Sequence, residues 1–359
     1  MLKKIDVYII KKFLGTFFFT LLLIICVIIV FDVSEKLQEF IERKAPLKAI
    51  AFDYYLNFVP YIANMFSPLF IFISVIFFTS KMASNSEIVA ILSSGISFRR
   101  LLRPYLICAF ALSILSFYLN NFLIPVANKN RLAFEETYYR NKFRNFAQDI
   151  HMQIDTNTYI YMTNFEADMN VGYNFSIEKF KNGELSYKLL SDNVRWDSTK
   201  NKWSITNYVE RDIDGLKETI KTGAAKDTTL NLKVEDFKRR NSFITSMNLF
   251  ELNNFIEEEK FKGSQQIIYY EVEKQQRSAY PFATFVLTLI GVSISSRKVR
   301  GGIGLHIGLG LLISFSYILF MQISSTFSLN SGVPAIIAVW IPNILFSLLA
   351  FYLLKKAPK

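Results

Sequence analysis

The sequence predicts a polytopic α-helical membrane protein, with six transmembrane helices arranged three and three around an inserted all-β domain. Three observations predict it. Five stretches contain no Asp, Glu, Lys or Arg: Phe13 to Phe31, Tyr54 to Ser80, Pro104 to Asn128, Ser278 to Ser296, and Gly301 to Leu354. Between the third and the fourth, residues 129–277 are polar and carry repeated turn signals. The formal charge of +11 is distributed along the chain in a way that only one topology explains.

A helix rises about 1.5 Å per residue, so roughly 20 apolar residues cross the hydrocarbon core. The first four runs each fit one span. The fifth is long enough for two, and Ser328-Leu-Asn-Ser-Gly-Val-Pro334 supplies a turn in its middle. Placing the N-terminus inside makes residues 1–12, 81–103, 297–300 and 355–359 cytoplasmic. These pieces hold 14 Lys and Arg against two acids, Asp6 and Glu87. Residues 32–53 hold four basic and five acidic residues, and residues 129–277 hold 23 of each. The whole excess therefore lies on the inner face, as the positive-inside rule requires. The N-terminal basic start and apolar run are read as a retained span, because Phe31-Asp32-Val33-Ser34 offers no small-residue cleavage site.

The polar insertion is expected to hold two kinds of structure. From about 150 to 235, Tyr173, Phe175 and Ile177 alternate with Asn174 and Ser176, and Trp203 and Ile205 alternate with Ser204 and Thr206. Turn signals fall at Asn182-Gly183, Asp197 to Asn201, Asp214-Gly215 and Thr222-Gly223. Seven or eight strands at this spacing fit a β-sandwich, a jelly roll or an open barrel. From Asn248 onward, Leu249, Leu252, Phe255 and Ile256 share one helical face. A second helix from about Ser264 runs into the fourth span, with Tyr280-Pro281 as a candidate kink. The domain's aromatics fit either its own core or a groove for an apolar ligand.

Several function classes lose their support. The polar insertion is electrically neutral, so the basic pI of about 9.4 leaves no footprint for a nucleic-acid backbone. Cys26 and Cys108 lie in apolar runs, and with His151 and His306 as the sole histidines no metal-ligand spacing exists. No Gly-Lys dipeptide occurs, hence no P-loop, and no G-x-S-x-G elbow is present. His306, early in span five, is an intramembrane ionisable residue and a functional candidate on that ground.

The loop between spans two and three is the most informative short segment. Ser84 and Glu87 fit a capping box ahead of Ile88, Val89, Ile91 and Leu92, and Gly95 fits the stop. A short helix with an apolar side is expected here. It buries against the protein's own spans or the lipid interface, or it receives a soluble partner. Glu87 is either a cap or an acid offered to a basic partner.

The chain resembles the LptF/LptG family of lipopolysaccharide export permeases. The resemblance rests on Ser86-Glu87-Ile-Val-Ala-Ile-Leu-Ser-Ser-Gly95, on Tyr280-Pro281-Phe-Ala-Thr-Phe-Val-Leu-Thr-Leu-Ile-Gly291-Val with Arg297 following, and on Gly332-Val-Pro334 through Ala338-Val-Trp340-Ile-Pro342-Asn343. Asp6-Val-Tyr8-Ile, Val194-Arg-Trp196-Asp and Trp203 also fit, so the resemblance covers essentially the whole chain. The Gly301-Gly-Ile-Gly304 opening of span five resembles the LptG side.

The resemblance implies a half-transporter without a nucleotide site or cofactor of its own. A second six-span chain would pair with it, as LptF with LptG, around a cavity open to the outer leaflet, with spans one and five as the lateral gate. A dimeric LptB-like ATPase would use the ATP, and a periplasmic β-jellyroll would pass lipopolysaccharide to an LptC-like protein. The domains would be residues 1–128 (spans one to three, with a coupling helix at about 85–94), 129–248 (jellyroll), 249–277 (connecting helices) and 278–359 (spans four to six). Glu87, Ile88, Ile91, Leu92 and Gly95 would serve ATPase coupling, and Tyr173, Phe175 and Ile177 would face acyl chains.

A lipid with phosphates needs an apolar wall and a basic rim. The candidates for that rim are Lys36, Lys129 and Arg131, which equally fit anchoring at the head-group level. Asp32 stands where family members can carry a basic residue, a departure that bears on the charge of this rim. Two other readings remain open at this point: a membrane-anchored sensor or scaffold whose β-domain binds a protein, and a lipid-modifying membrane enzyme.

Overall fold

A computed structural model describes residues 3–141, 147–297 and 302–357. In chain order the helices are α1 Lys4–Glu42, α2 Leu47–Ala49, α3 Leu56–Ser84, α4 Glu87–Ser93, α5 Phe98–Tyr118 and α6 Ile124–Tyr138. The wider turns Ile50–Tyr55 and Leu119–Leu123 make α2 continuous with α3 and α5 continuous with α6. Six strands follow: β1 Gln148–Asp155, β2 Thr158–Glu166, β3 Val171–Lys181, β4 Glu184–Asp197, β5 Lys202–Asp214 and β6 Lys217–Thr228. The chain then forms α7 Glu235–Lys238, α8 Leu249–Lys262, α9 Ile267–Ser295, α10 Gly302–Ser331 and α11 Ala335–Lys356. It divides into a helical unit (residues 1–140, 245–252 and 268–359) and a sheet unit (141–244 and 253–267).

Among the described residues, six helices are long and apolar enough to cross a membrane: Lys4–Glu42, Leu47–Ser84, Phe98–Tyr138, Ile267–Ser295, Ile303–Ser331 and Ala335–Lys356. Each covers nearly all of one of the charge-free runs, or about half of the fifth, and the first four extend beyond their runs with polar turns. The break in the fifth run falls where expected. Gly332 adopts φ +69°, a left-handed conformation that side chains disfavour, and Pro334 precedes the first turn of α11.

Close packing and polar ties hold the helices together. Gly291 of α9 lies against Phe72 and Val75, where a Cβ would sit 3.0 Å from both side chains. Gly310 of α10 lies against Ile76 of α3 in the same manner. Around Pro281, Ser113 donates to the Pro281 carbonyl (2.8 Å) and Asn343 to the Ala279 carbonyl (3.1 Å). Asn343 also accepts from the Tyr317 hydroxyl (3.0 Å), so the Pro342-Asn343 motif ties α11 to α9 and α10.

The sheet is an antiparallel meander in the order β1-β2-β3-β4-β5-β6. Among the described residues it has six strands where turn spacing suggested seven or eight. Three turn signals do form hairpins, but Thr222-Gly223 lies inside β6. Gly223 pairs with Tyr208 on β5, and the Tyr208 ring covers it: a Cβ there would meet the hydroxyl at 2.5 Å. The glycine makes room for a cross-strand ring instead of turning the chain. The core holds Ile160, Phe165, Phe175, Leu189, Trp203 and Ile205, closed by Leu232, Val234 and Phe237. Trp203 donates from Nε1 to the Leu232 carbonyl (3.2 Å), fixing that covering segment. The expected helix from Asn248 onward is α8, and Asn248 caps it: its Oδ1 accepts from the amides of Phe250 and Glu251, and Glu251 accepts from the Asn248 amide.

Candidate functional site

At one end of the helical unit lies α4. Its expected stop is present: Gly95 adopts φ +83° and its amide bonds the Leu92 carbonyl (3.1 Å). Its expected start is not. Ser84 belongs to the last turn of α3 and bonds back to the Lys81 carbonyl (3.0 Å), and the residue before α4 is Ser86, at φ +62° with no side-chain cap. Glu87 therefore does not close a capping box. It accepts from the Tyr8 hydroxyl (3.1 Å) and from Asn85 Nδ2 (3.3 Å). Tyr8 belongs to the first turns of α1, whose position is set by a bidentate pair between Arg100 and Asp6 at 2.5 and 2.7 Å.

Helical spacing divides α4 into two faces. Ile88 is buried in a cluster with Phe13, Phe78, Met82 and Leu101, and Ile91 and Leu92 pack against the same cluster. Val89 points the other way and is 58% exposed. The large apolar residue that α4 leaves exposed is thus Val89, which the sequence placed on the helix without separating it from the buried positions. Deeper in the bundle, His306 Nδ1 lies 2.7 Å from Ser80 Oγ, joining α10 to α3 in a buried contact.

The opposite end of the bundle holds the three rim cations, and each is paired. Lys36 lies 2.6 Å from Asp32, bonds the Tyr54 hydroxyl, and sits over the rings of Tyr54, Phe58 and Tyr139. Asp32 also accepts from Tyr55 (3.0 Å). Arg131 is 3.6 Å from Glu135 and stacks over Phe58 and Tyr61. Lys129, half exposed, is 3.4 Å from Glu251. Phe40, Tyr54 and Phe134 fill the space beneath. Two of these acids stand at i,i+4 from their cations, a spacing readable in the sequence; Glu251 is not, since 122 residues separate it from Lys129. Between the two ends, α3, α9 and α10 border a cavity of about 350 Å³, walled by Tyr61, Met65, Tyr280 and Tyr317, with the Asn64–Asn120 pair (2.7 Å) and Arg277 at its margin.

In the sheet unit the three acyl-contact candidates separate. Phe175 is fully buried and Ile177 nearly so, both in the core. Tyr173 is only half-buried, because Asn174 adopts φ +51° and interrupts the pleat between Tyr173 and Phe175. Ile177 lines a cavity of about 490 Å³ with Ile154, Leu189 and Ile205, rimmed by Tyr187, Lys179 and Lys226. Beside it, Lys226 bonds Glu210, which also accepts from the Tyr187 hydroxyl (3.2 Å). The lysine holds the Glu210 carboxyl below its ordinary range, and burial pushes the Tyr187 phenol up.

Gly301 of the span-five opening lies outside the described residues, and Lys298 and Arg300 of the preceding basic stretch do too. No curated protein matches the chain in direct comparison. The family model of the lipopolysaccharide export system permease LptF/LptG matches residues 7–356, a range that takes in α4, the sheet and all six long apolar helices. The chain belongs to the LptF/LptG family of lipopolysaccharide export permeases, multi-pass transport proteins of the inner membrane.

Proposed function

We propose that this chain is the permease subunit of an ABC-type exporter, which extracts lipopolysaccharide from the inner membrane and passes it to a periplasmic bridge towards the outer membrane. The family match over residues 7–356 carries the reading. Both termini and α4 face the cytoplasm and the sheet faces the periplasm, a sidedness supported by the basic residues at 1–12, 81–103, 297–300 and 355–359. A second six-span chain of the family completes the lipid cavity. A dimeric LptB-like ATPase supplies the ATP hydrolysis, and an LptC-like protein receives the lipid.

The ATPase docks against Val89 and Glu87. Because Ile88 is held in the cluster with Phe13 and Phe78, a push on α4 is delivered to the first three spans rather than absorbed by the loop. The displaced lipid rises, and its acyl chains meet Ile154, Ile177, Leu189 and Ile205 in the cavity beside Ile177, with Lys179 and Lys226 at its rim. Phe175 shapes that wall from behind, with Tyr173 at its margin. Of the rim cations, Lys129 is the one exposed enough to reach a lipid phosphate. Lys36 and Arg131 clamp α1, α3 and α6 together. Gentle purification from the native membrane tests the assembly. An ATP-binding subunit and a second six-span chain are expected to accompany this one; their absence contradicts the reading.

A further inference from the structure

The face of the sheet turned away from its core carries a second, chemically different cavity of about 600 Å³, within the size range of small-molecule sites. Strand register builds it. His151, Tyr161, Ser176, Leu190 and Val209 follow one another directly across β1 to β5. One row along, Tyr159 stands opposite Glu178, and Glu178 opposite Lys188, with the last two paired at 2.7 Å. Beyond the first row, the regular ladder skips Asn174, Asp192 and Asn207 on three adjacent strands. Asn174 and Asn207 both adopt left-handed backbone, at φ +51° and +50°, which indents the sheet at that row. Asn207 Nδ2 donates to Asp192 Oδ2 (2.8 Å), and Asn174 Nδ2 donates to Thr163 (3.1 Å). The amide oxygens of both asparagines remain as acceptors. Tyr159 is 41% exposed, and the His151 and Tyr161 rings lie against each other at 4.7 Å.

The lining selects a ligand class. Two carboxylates and one lysine leave the cavity slightly acidic, which disfavours a phosphate or another anion. The walls mix apolar groups with Glu178, Lys188, Asp192 and the two asparagines, whose polar atoms an acyl chain would leave without partners. The floor is made of β2 to β5, each already flanked by a strand on both sides, so no peptide strand can add to it. What remains is a neutral ligand with apolar C–H faces for the tyrosine rings and many hydroxyls for carboxylates and amides that both give and take hydrogen bonds. We propose that this face is a saccharide-binding site, taking one or two sugar rings between the Tyr159–Tyr161 ridge and the Asn174–Asp192–Asn207 row. It goes beyond the export reading and involves neither the cavity beside Ile177 nor the ATPase.

Saturation-transfer NMR on the full chain in phosphatidylcholine nanodiscs tests it. The probes are maltose, the N-acetylglucosamine disaccharide, and the lipid-free oligosaccharide released from lipopolysaccharide by mild acid. Transfer to sugar protons is expected. Tyr159→Ala and Asn207→Gly, the latter keeping the left-handed backbone while removing the amide, should weaken it about tenfold when combined, with Trp203 fluorescence unchanged. Transfer from the lipopolysaccharide oligosaccharide alone assigns the site to a lipid head group; transfer from the simple sugars as well assigns it to soluble saccharides. Absence of transfer from all three, or transfer unaltered in the variants, overturns the proposal. A negative result alongside ATP-driven export would leave the export reading standing, and a positive result without export would do the reverse.

Discussion

The Lys36 ammonium lies 2.6 Å from the Asp32 carboxylate, with both side chains only 12% exposed. Three aromatic rings surround the ammonium, so it is satisfied by its own chain. Removing one member of a buried pair strands the other and costs about 3–5 kcal/mol, whereas removing both costs far less. Lys36→Met and Asp32→Asn should therefore each lower the melting temperature of the purified chain, and the double variant should recover much of the loss. Strict additivity would show that the pair does not clamp this end of the bundle.

On α4, a photo-crosslinking residue at Val89 should capture an ATPase subunit, while one at Ile88 should capture only the chain itself. Val89→Asp should reduce ATPase co-purification at least tenfold, since an unpaired charge would be buried at the contact. Tyr8→Phe removes one hydrogen bond to Glu87 and should cost about 1 kcal/mol of coupling, several-fold in transport rate. Capture at Ile88 rather than Val89 would reverse the assignment of faces.

Gly310 leaves no room for a side chain beside Ile76. Gly310→Ala should destabilise the α3–α10 contact by about 1–3 kcal/mol, and Ile76→Val in the same chain should restore part of it by opening space. Thermal unfolding of the single and double variants measures both. A Gly310→Ala chain as stable as the parent would mean that α10 is free to shift.

The Glu210–Lys226 pair gives the sheet an acid limit. The folded carboxyl titrates below its ordinary range, so its stabilisation is fully present above the unfolded carboxylate pKa of about 4.3 and is lost as pH falls through the lower folded value. Trp203 fluorescence followed from pH 6 to pH 2 should show this loss in the parent. Glu210→Gln should flatten the slope while lowering stability at neutral pH, because Lys226 loses the negative charge it pairs with. An unchanged slope would assign the acid limit elsewhere.

What could be read from the sequence divides along physical lines. The spans were legible because a membrane permits few charges and demands internal hydrogen bonding. Gly95 and Gly332 were legible because a left-handed terminus nearly demands glycine. The capping box at Ser84 was misread: local spacing fits it, but Glu87 is held by Tyr8, a residue 79 positions away. The rim cations were found without their acids, although Asp32 and Glu135 stood at readable spacing. The row Asn174–Asp192–Asn207 was hidden because a bulge looks like ordinary alternation until register is known.

The most direct test of the export reading is ATP-driven lipid transfer. Proteoliposomes holding this chain with its co-purified partners are loaded with lipopolysaccharide, and its appearance on a soluble periplasmic acceptor is followed by crosslinking. Transfer should require ATP, saturate with time, and fall at least tenfold in the Val89→Asp chain. Transfer that proceeds equally without ATP, or none at all from an assembly whose ATPase is active, would contradict it.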